Sequence, residues 1–275
     1  MSDLAGKVVI ITGVGRPRGV GRAAALRYAG KGAKLVLADL GSSDNAIGDI
    51  EGTSPDLNRV AAEGAAAGGD VIAVATDVSK EADVKRLIEQ AVDKYGRIDS
   101  MVANAAILAG KGDPLDISLE TFMRIQEVNV AGVFLCLRES VRQMRAQGGG
   151  GSIVTVGSRA SRRGDANIAA YSASKFSVLG LTQSFAMAYA KEGIRINCVC
   201  PGAVDTEMYV RQTNDFAGRE GVDFETAKKQ MGDVIPLGRL TSGDDVAKAI
   251  VWFTSDETSH VTGQAFNVNG GSWMN

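Results

Sequence analysis

The 275-residue chain holds one histidine, His260, and three cysteines, Cys136, Cys198 and Cys200. A single histidine gives a His-based nucleophile triad or a His-rich zinc site little to build on. His260 sits in a polar stretch before the last expected strand and reads as a surface or interface residue. The cysteines fall in apolar segments, which fits buried reduced thiols in a cytosolic protein better than a disulfide or metal use of the Cys198-x-Cys200 pair. No apolar run approaches the roughly 18 residues of a membrane span, and Met1 to Lys7 lacks the apolar core of a signal peptide. A cytoplasmic location without membrane contact is the expectation. Thirty Lys and Arg stand against 32 Asp and Glu, and a net charge of −2 leaves no footprint for nucleic acid. Repeats and low-complexity tracts are absent too. With 45% apolar residues the chain can bury a large core, and α/β chains of this length commonly form one domain, here 1–275.

What is present is alternation. Short apolar runs near 7–12, 33–38, 71–76, 98–103, 152–157, 194–200 and 264–268 read as strands. Helical patterns lie near 19–30, 56–67, 80–95, 118–146, 170–191 and 243–254. This order predicts an α/β fold: a single Rossmann-type, doubly wound, mostly parallel seven-stranded sheet with helices on both faces. Residues 41–55 read as a polar loop near the adenosine end or on the surface.

The first strand breaks into Gly13-Val14-Gly15-Arg16-Pro17-Arg18-Gly19-Val20-Gly21 and resumes as a helix. Strand, glycine turn and helix together form a phosphate cradle, because glycines let the backbone approach a pyrophosphate and the helix start offers free N–H groups. Asp39 ends the second strand about twenty residues on, where a carboxylate can bond a ribose 2′-OH and repel a 2′-phosphate. Arg16 and Arg18 pull towards NADP, since either could pair with that phosphate. Leu40, in place of a basic residue after Asp39, favours NAD.

Ser158 is followed thirteen residues later by Tyr171 and then by Lys175. At i and i+4 of a helix, Tyr171 and Lys175 emerge on one face. An ammonium beside a phenol favours the phenolate, and lowering Tyr171 from about 10 to neutrality needs about 4 kcal/mol of differential stabilisation. Lys175 and a positively charged nicotinamide are the expected sources. Such a tyrosine takes a proton from an alcohol as hydride leaves, or returns it to a carbonyl.

Thr12-Gly13…Gly19-x-Gly21, Asp77-Val78, Asn104-Ala105-Ala106, Asn129, Ser158…Tyr171-x-x-x-Lys175 and Pro201-Gly202…Thr206 occur in an order and spacing that resembles the classical short-chain dehydrogenase/reductase family over residues 5–272. The resemblance implies that Gly13, Gly15, Arg18, Gly19, Val20, Asp39, Leu40, Asp77, Val78, Asn104, Ala105, Ala106, Pro201, Gly202, Val204 and Thr206 line the cofactor. Asp77 would meet the adenine, Asn104 would hold the sheet edge, and Val204 and Thr206 would face the carboxamide. Tyr171 would be the acid/base, Ser158 would orient the substrate oxygen, and Lys175 would also bond the nicotinamide ribose. Asn129 would kink its helix and hold a water in a relay to Lys175. A homotetramer built on helices 118–146 and 170–191 is a further implication. Two departures stand out. Five residues separate Gly13 from Gly19, two more than the family's loop has, which suggests a bulge around Arg16-Pro17. Ala106 also replaces the family's usual glycine.

The segment 206–239 reads as irregular or weakly helical, a lid over the strand ends. Tyr209 and Met208 are candidates for its substrate-facing side, ahead of Phe216 and Met231. Arg159, Arg162 and Arg163 could clamp an anion or form a solvated turn. Asp165 and Asn167 could bond the hydroxyls of a polyol, and Trp273 could cap a pocket or pack at an interface. The expected activity is NAD-dependent interconversion of a secondary alcohol, preferably a polyol, sugar or cyclic one, and its ketone. The alternative is an NADPH-dependent reductase of 3-oxoacyl thioesters. Enoyl reduction fits less well, because the family's enoyl reductases space Tyr and Lys further apart. A nucleotide-sensing regulator that has lost the chemistry fits poorly with Ser158, Tyr171 and Lys175 all in place.

Overall fold

Val8–Thr12 (β1) is a five-residue run of four β-branched aliphatics and a threonine, buried along its whole length. Only a central strand covered on both faces lets such a run leave water. The computed structural model describes residues 4–40 and 57–274, apart from the side chains of Met208 and Arg211. The expected loop 41–55 and the Met208 side chain therefore lie outside the described residues.

After β1 come helix α1 (Val20–Ala29), β2 (Lys34–Asp39), α2 (Leu57–Ala66), β3 (Asp70–Ala75), α3 (Glu81–Tyr95) and β4 (Ser100–Ala103). Helices α4 (Leu119–Gln126) and α5 (Gly132–Gln147) are joined by one π-helical turn, Glu127–Ala131. Then follow β5 (Gly151–Val156), α6 (Ala169–Tyr189), β6 (Ile194–Pro201), α7 (Glu207–Glu220), α8 (Phe224–Asp233), α9 (Gly243–Thr254) and β7 (Ala265–Val268). The sheet order is β3-β2-β1-β4-β5-β6-β7. Every pairing among these strands is parallel, where the sequence suggested mostly parallel.

Side chains of β1 alternate between two cores, as a strand's period of two requires. Val8 and Ile10 join Leu87 of α3, Leu137 of α5 and Val178 of α6. Val9 and Ile11 join Tyr28 of α1, Val60 of α2 and Phe253 of α9. The chain winds outward through β2 and β3, then returns to lay β4 on the other side of β1. That reversal opens a crevice at the carboxyl ends of β1 and β4, where α/β sheets of this kind bind ligands.

Two expectations are revised. The segment read as irregular or weakly helical over 206–239 is otherwise built. The segment read as irregular or weakly helical over 206–239 contains two full helices, α7 and α8, packed against each other. Asp223 caps α8 by accepting the Thr226 N–H, and its position just ahead of Phe224 was a readable helix start.

Candidate active site

The glycine loop packs against the sheet closely enough to need its glycines. Gly13 has φ of +73°, and a methyl group there would stand 2.7 Å from Ala105 Cα. At Gly21 a methyl would stand 2.4 Å from the Gly13 carbonyl oxygen. The two additional residues are taken up by a turn closed by Gly19 N–H donating to Arg16 O at 3.0 Å, the bulge expected around Arg16-Pro17. Helix α1 begins at Val20 with no side-chain cap and no acid in its first turn. Its leading N–H groups thus suit an anion, and the loop's close approach suits a pyrophosphate.

Asp39 does more than await a ribose. Its two carboxylate oxygens accept the Gly15 N–H at 2.7 Å and the Leu40 N–H at 2.8 Å. Burial pushes its pKa up, opposed by those two hydrogen bonds and by Arg16. Asn104 donates its amide to the Thr12 and Gly13 carbonyls, both at 2.9 Å, so it fastens the end of β4 to the glycine loop. Asn104 and Ala105 N–H groups both donate to Thr12 Oγ1 at 3.1 Å. Ala106 is half-buried. Asp77 accepts from the Ser79 N–H and hydroxyl, while Val78 is buried against Gly132.

Arg18, expected at the cofactor, is committed elsewhere. Its guanidinium pairs with Asp205, which also holds Lys228 at 2.7 Å, and its backbone N–H donates to Glu207 at 2.8 Å. An arginine so neutralised is poorly placed to meet a 2′-phosphate.

Ser158 leaves β5 through Gly157, where a methyl group would stand 2.7 Å from Ser161 Oγ and 2.8 Å from Cys198 Sγ. Its hydroxyl accepts the Ala160 N–H at 3.1 Å, and its own N–H donates to Ser161 Oγ at 3.1 Å. Tyr171 and Lys175 lie one turn apart on α6, with Lys175 Nζ 5.5 Å from the Tyr171 ring centroid. Lys175 is 2% exposed and donates to the Val156 carbonyl at 2.8 Å. Burial lowers it to about 8, with Cys198 and Cys200 raising it. Burial pushes Tyr171 up to about 12, against a hydrogen bond with Ser158. The lowering expected from Lys175 alone is thus outweighed by desolvation, because the ammonium is turned to the Val156 carbonyl.

Asn129 is fully buried. Its Oδ1 accepts the Ile107 N–H at 2.8 Å, and its Nδ2 donates to Ile107 O at 2.9 Å and Ser174 Oγ at 3.1 Å. Ser174 Oγ donates to the Tyr171 carbonyl at 2.7 Å. Ser174 thereby links Asn129 to the catalytic helix, a role the sequence reading did not assign. Its only signal was its place directly before Lys175.

Farther along, Gly202 abuts Asn269, Val204 pairs with Thr241 in an isolated parallel bridge, and Thr206 begins α7. Tyr209 is half-buried near Arg159, whose charge opposes the upward push of burial on the phenol. The three arginines do not converge. Arg159 pairs with Asp165 at 2.9 Å, Arg162 donates to the Ala265 carbonyl of β7, and Arg163 lies 4.9 Å from the Trp273 ring centroid. All three cysteines are free and buried, and His260 is exposed. Among the described residues no group of three His, Cys, Asp or Glu could hold a metal, and no helix is long and apolar enough to cross a membrane.

The sequence compares well with known proteins. Residues 13–272 match a family model described as enoyl-(acyl carrier protein) reductase. A sorbitol dehydrogenase of Cereibacter sphaeroides is 32% identical over 98% of this chain and 99% of its own length. A 2,5-dichloro-2,5-cyclohexadiene-1,4-diol dehydrogenase of Sphingobium indicum is 36% identical, covering 98% of each chain. The structure of carveol dehydrogenase from Mycobacterium avium in complex with NAD superposes with a TM-score of 0.90 at 27% identity, over 99% of both chains. With the glycine loop, Ser158, Tyr171 and Lys175 in the arrangement described, this oxidoreductase, an alcohol dehydrogenase or carbonyl reductase, belongs to the short-chain dehydrogenase/reductase family.

Proposed function

We propose that the protein interconverts a secondary alcohol, polyhydroxylated or cyclic, and its ketone, with NAD as the hydride carrier. The observation that carries this reading is the cluster of Ser158, Tyr171 and Lys175 beside β5, with Tyr171 in contact with Ser158 and Lys175 one turn below. Bound NAD would supply a hydride acceptor and a positive ring beside the phenol. Ser158 holds the substrate oxygen, and Tyr171 takes the hydroxyl proton as the carbon gives up hydride. Lys175, at about 8, can exchange a proton near neutrality. Asn129, through Ser174, fixes the helix end from which Tyr171 projects. The relay through a water at Asn129 and the bond from Lys175 to the ribose belong to the same proposal.

Asp39 supports NAD over NADP, and so does the engagement of Arg18 by Asp205. The five relevant glycines and alanines, Gly13, Gly15, Gly19, Ala105 and Ala106, frame the cradle, with Val20, Leu40, Asp77, Val78, Pro201, Gly202, Val204 and Thr206 along the rest of the cofactor. The relatives named above act on a polyol, a cyclic diol and a cyclic alcohol by their names, which favours that substrate class here. Enoyl reduction is disfavoured by the Tyr171 to Lys175 spacing, and 3-oxoacyl reduction by Asp39. Helices α7 and α8 serve as the substrate lid, with Tyr209 on its inner side. A homotetramer through α5 and α6 is supported by Phe134, Phe176 and Met187, apolar side chains 36%, 46% and 84% exposed on those helices.

Tyr171→Phe tests the chemistry. Turnover of the best alcohol found by screening with NAD should fall by about 10²–10⁴-fold, while NADH binding followed by fluorescence should persist. Turnover unchanged in this variant would remove Tyr171 from the mechanism.

A further inference from the structure

A cavity of about 300 Å³ opens beside Ala160, two residues beyond Ser158, and its wall includes Arg159, Arg163, Asp165, Ser272 and Trp273. Its charges are unequal. Asp165 is already occupied: one oxygen accepts from Arg159 at 2.9 Å, and the other accepts the Asn167 N–H at 3.0 Å. Arg163 faces no carboxylate among the described residues and is stacked over Trp273. Stacking engages the face of a guanidinium and leaves its edge N–H groups available for a planar, two-oxygen acceptor.

Trp273 adds a second, independent observation. Its indole Nε1 is buried and has no hydrogen-bond partner. Indole is a donor only, so what is missing is an acceptor. The ring is not there by chance of a loose terminus: Asn269 Nδ2 donates to the Trp273 carbonyl at 2.8 Å, and Asn269 Oδ1 accepts the Gly271 N–H at 3.0 Å. An uncompensated cation and an unpaired donor on one wall call for a ligand group that is rich in acceptors and negative. A neutral hydroxyl would satisfy the indole but leave the charge of Arg163 unmatched.

We propose that Arg163 and Trp273 form a distal subsite for the carboxylate of the substrate, so that the alcohol oxidised is a hydroxylated acid of the sugar-acid type. This rests on the alcohol dehydrogenase reading above and deepens it. The carboxylate sits against the arginine edge and the indole N–H, and the carbon bearing the reacting hydroxyl extends past Ala160 towards Ser158 and Tyr171. Arg163 and Trp273 decide specificity and take no part in proton transfer.

D-gluconate and D-glucitol differ by one carboxylate, and calorimetric titration of each into the NADH-loaded protein tests the subsite. Wild type should bind gluconate at least about tenfold more tightly than glucitol, the scale of one charge-assisted contact. Arg163→Gln should abolish that preference, and Trp273→Phe, which keeps an aromatic ring but removes the N–H, should reduce it several-fold. Equal binding of the two probes, failure of gluconate to bind, or a preference that survives Arg163→Gln overturns the proposal. A changed oligomeric mass for Arg163→Gln with unchanged binding would make the pair a subunit contact and overturn it as well. Turnover of neutral polyols or cyclic diols with NAD, in the absence of a gluconate preference, would sink only the subsite. Absence of turnover with any alcohol, neutral or acidic, would sink the reading beneath it.

Discussion

Lys175 offers the most direct thermodynamic test of the site. It is 2% exposed, and burial brings it from an ordinary 10.5 to about 8. Below pH 8 both folded and unfolded chains carry the ammonium, and the folded one bears the full cost of its burial. Between about 8 and 10.5 the unfolded chain holds a proton that the folded chain has released, so stability rises with pH across that window. The full effect of such a shift is about 3 kcal/mol, and about 2 kcal/mol of it is recovered between pH 7 and 9.5. Lys175→Met keeps the length of the side chain and removes the charge, at the expense of the hydrogen bond to the Val156 carbonyl, whose loss costs about 1–3 kcal/mol. That loss is independent of pH. Urea unfolding of both proteins at pH 7 and at pH 9.5 therefore isolates the proton term, because other titrating groups cancel in the difference. Wild type should gain about 2 kcal/mol relative to Lys175→Met on going to the higher pH. A difference that stays constant within error would mean that the lysine is not held as a strained ammonium. The same lysine could not then release a proton near neutrality during turnover.

Asp39→Ala should weaken NADH binding by about tenfold or more, because the Gly15 and Leu40 N–H groups lose their acceptor. NADPH binding should weaken less or improve, which parallel fluorescence titrations would check; an unchanged NADH-to-NADPH ratio would count against Asp39 as the discriminator. Met187→Lys, at an apolar side chain 84% exposed on α6, should lower the oligomeric mass measured by light scattering if α6 lies in a subunit interface. A mass unaffected by this charge would exclude that face.

Much of the architecture was legible because it is written in local patterns. Each of the seven strands falls within a residue or two of its expected bounds, since a strand buried on both faces must be an uninterrupted apolar run. Tyr171 and Lys175 could be placed together because a helix fixes what lies four residues away. The direction of the Tyr171 shift could not be had this way. It depends on how deeply the phenol is buried and on where the Lys175 ammonium points, and both are set by β5 and β6 rather than by α6. Helix α7 was obscured for a related reason. Its composition is polar and its capping residue, Thr206, makes no side-chain cap bond, so neither periodicity nor a start signal marked it.

Arg18 shows most clearly what spacing alone cannot resolve. In sequence it stands in the glycine loop, two residues from α1, and an arginine there invites the phosphate reading. In the fold its partners are Asp205 and Glu207, 187 and 189 residues away, at the start of α7. Asp205 also holds Lys228 of α8, so one carboxylate ties the glycine loop to both helices of the lid. The two residues that lengthen the loop are what carry Arg18 out to this position, beyond the turn closed at Arg16 and Gly19. The insertion therefore exchanges a free cation near the cofactor for a contact between the cofactor loop and the lid. This accounts in one step for the departure from the family's loop length and for the reduced claim of a 2′-phosphate on this site.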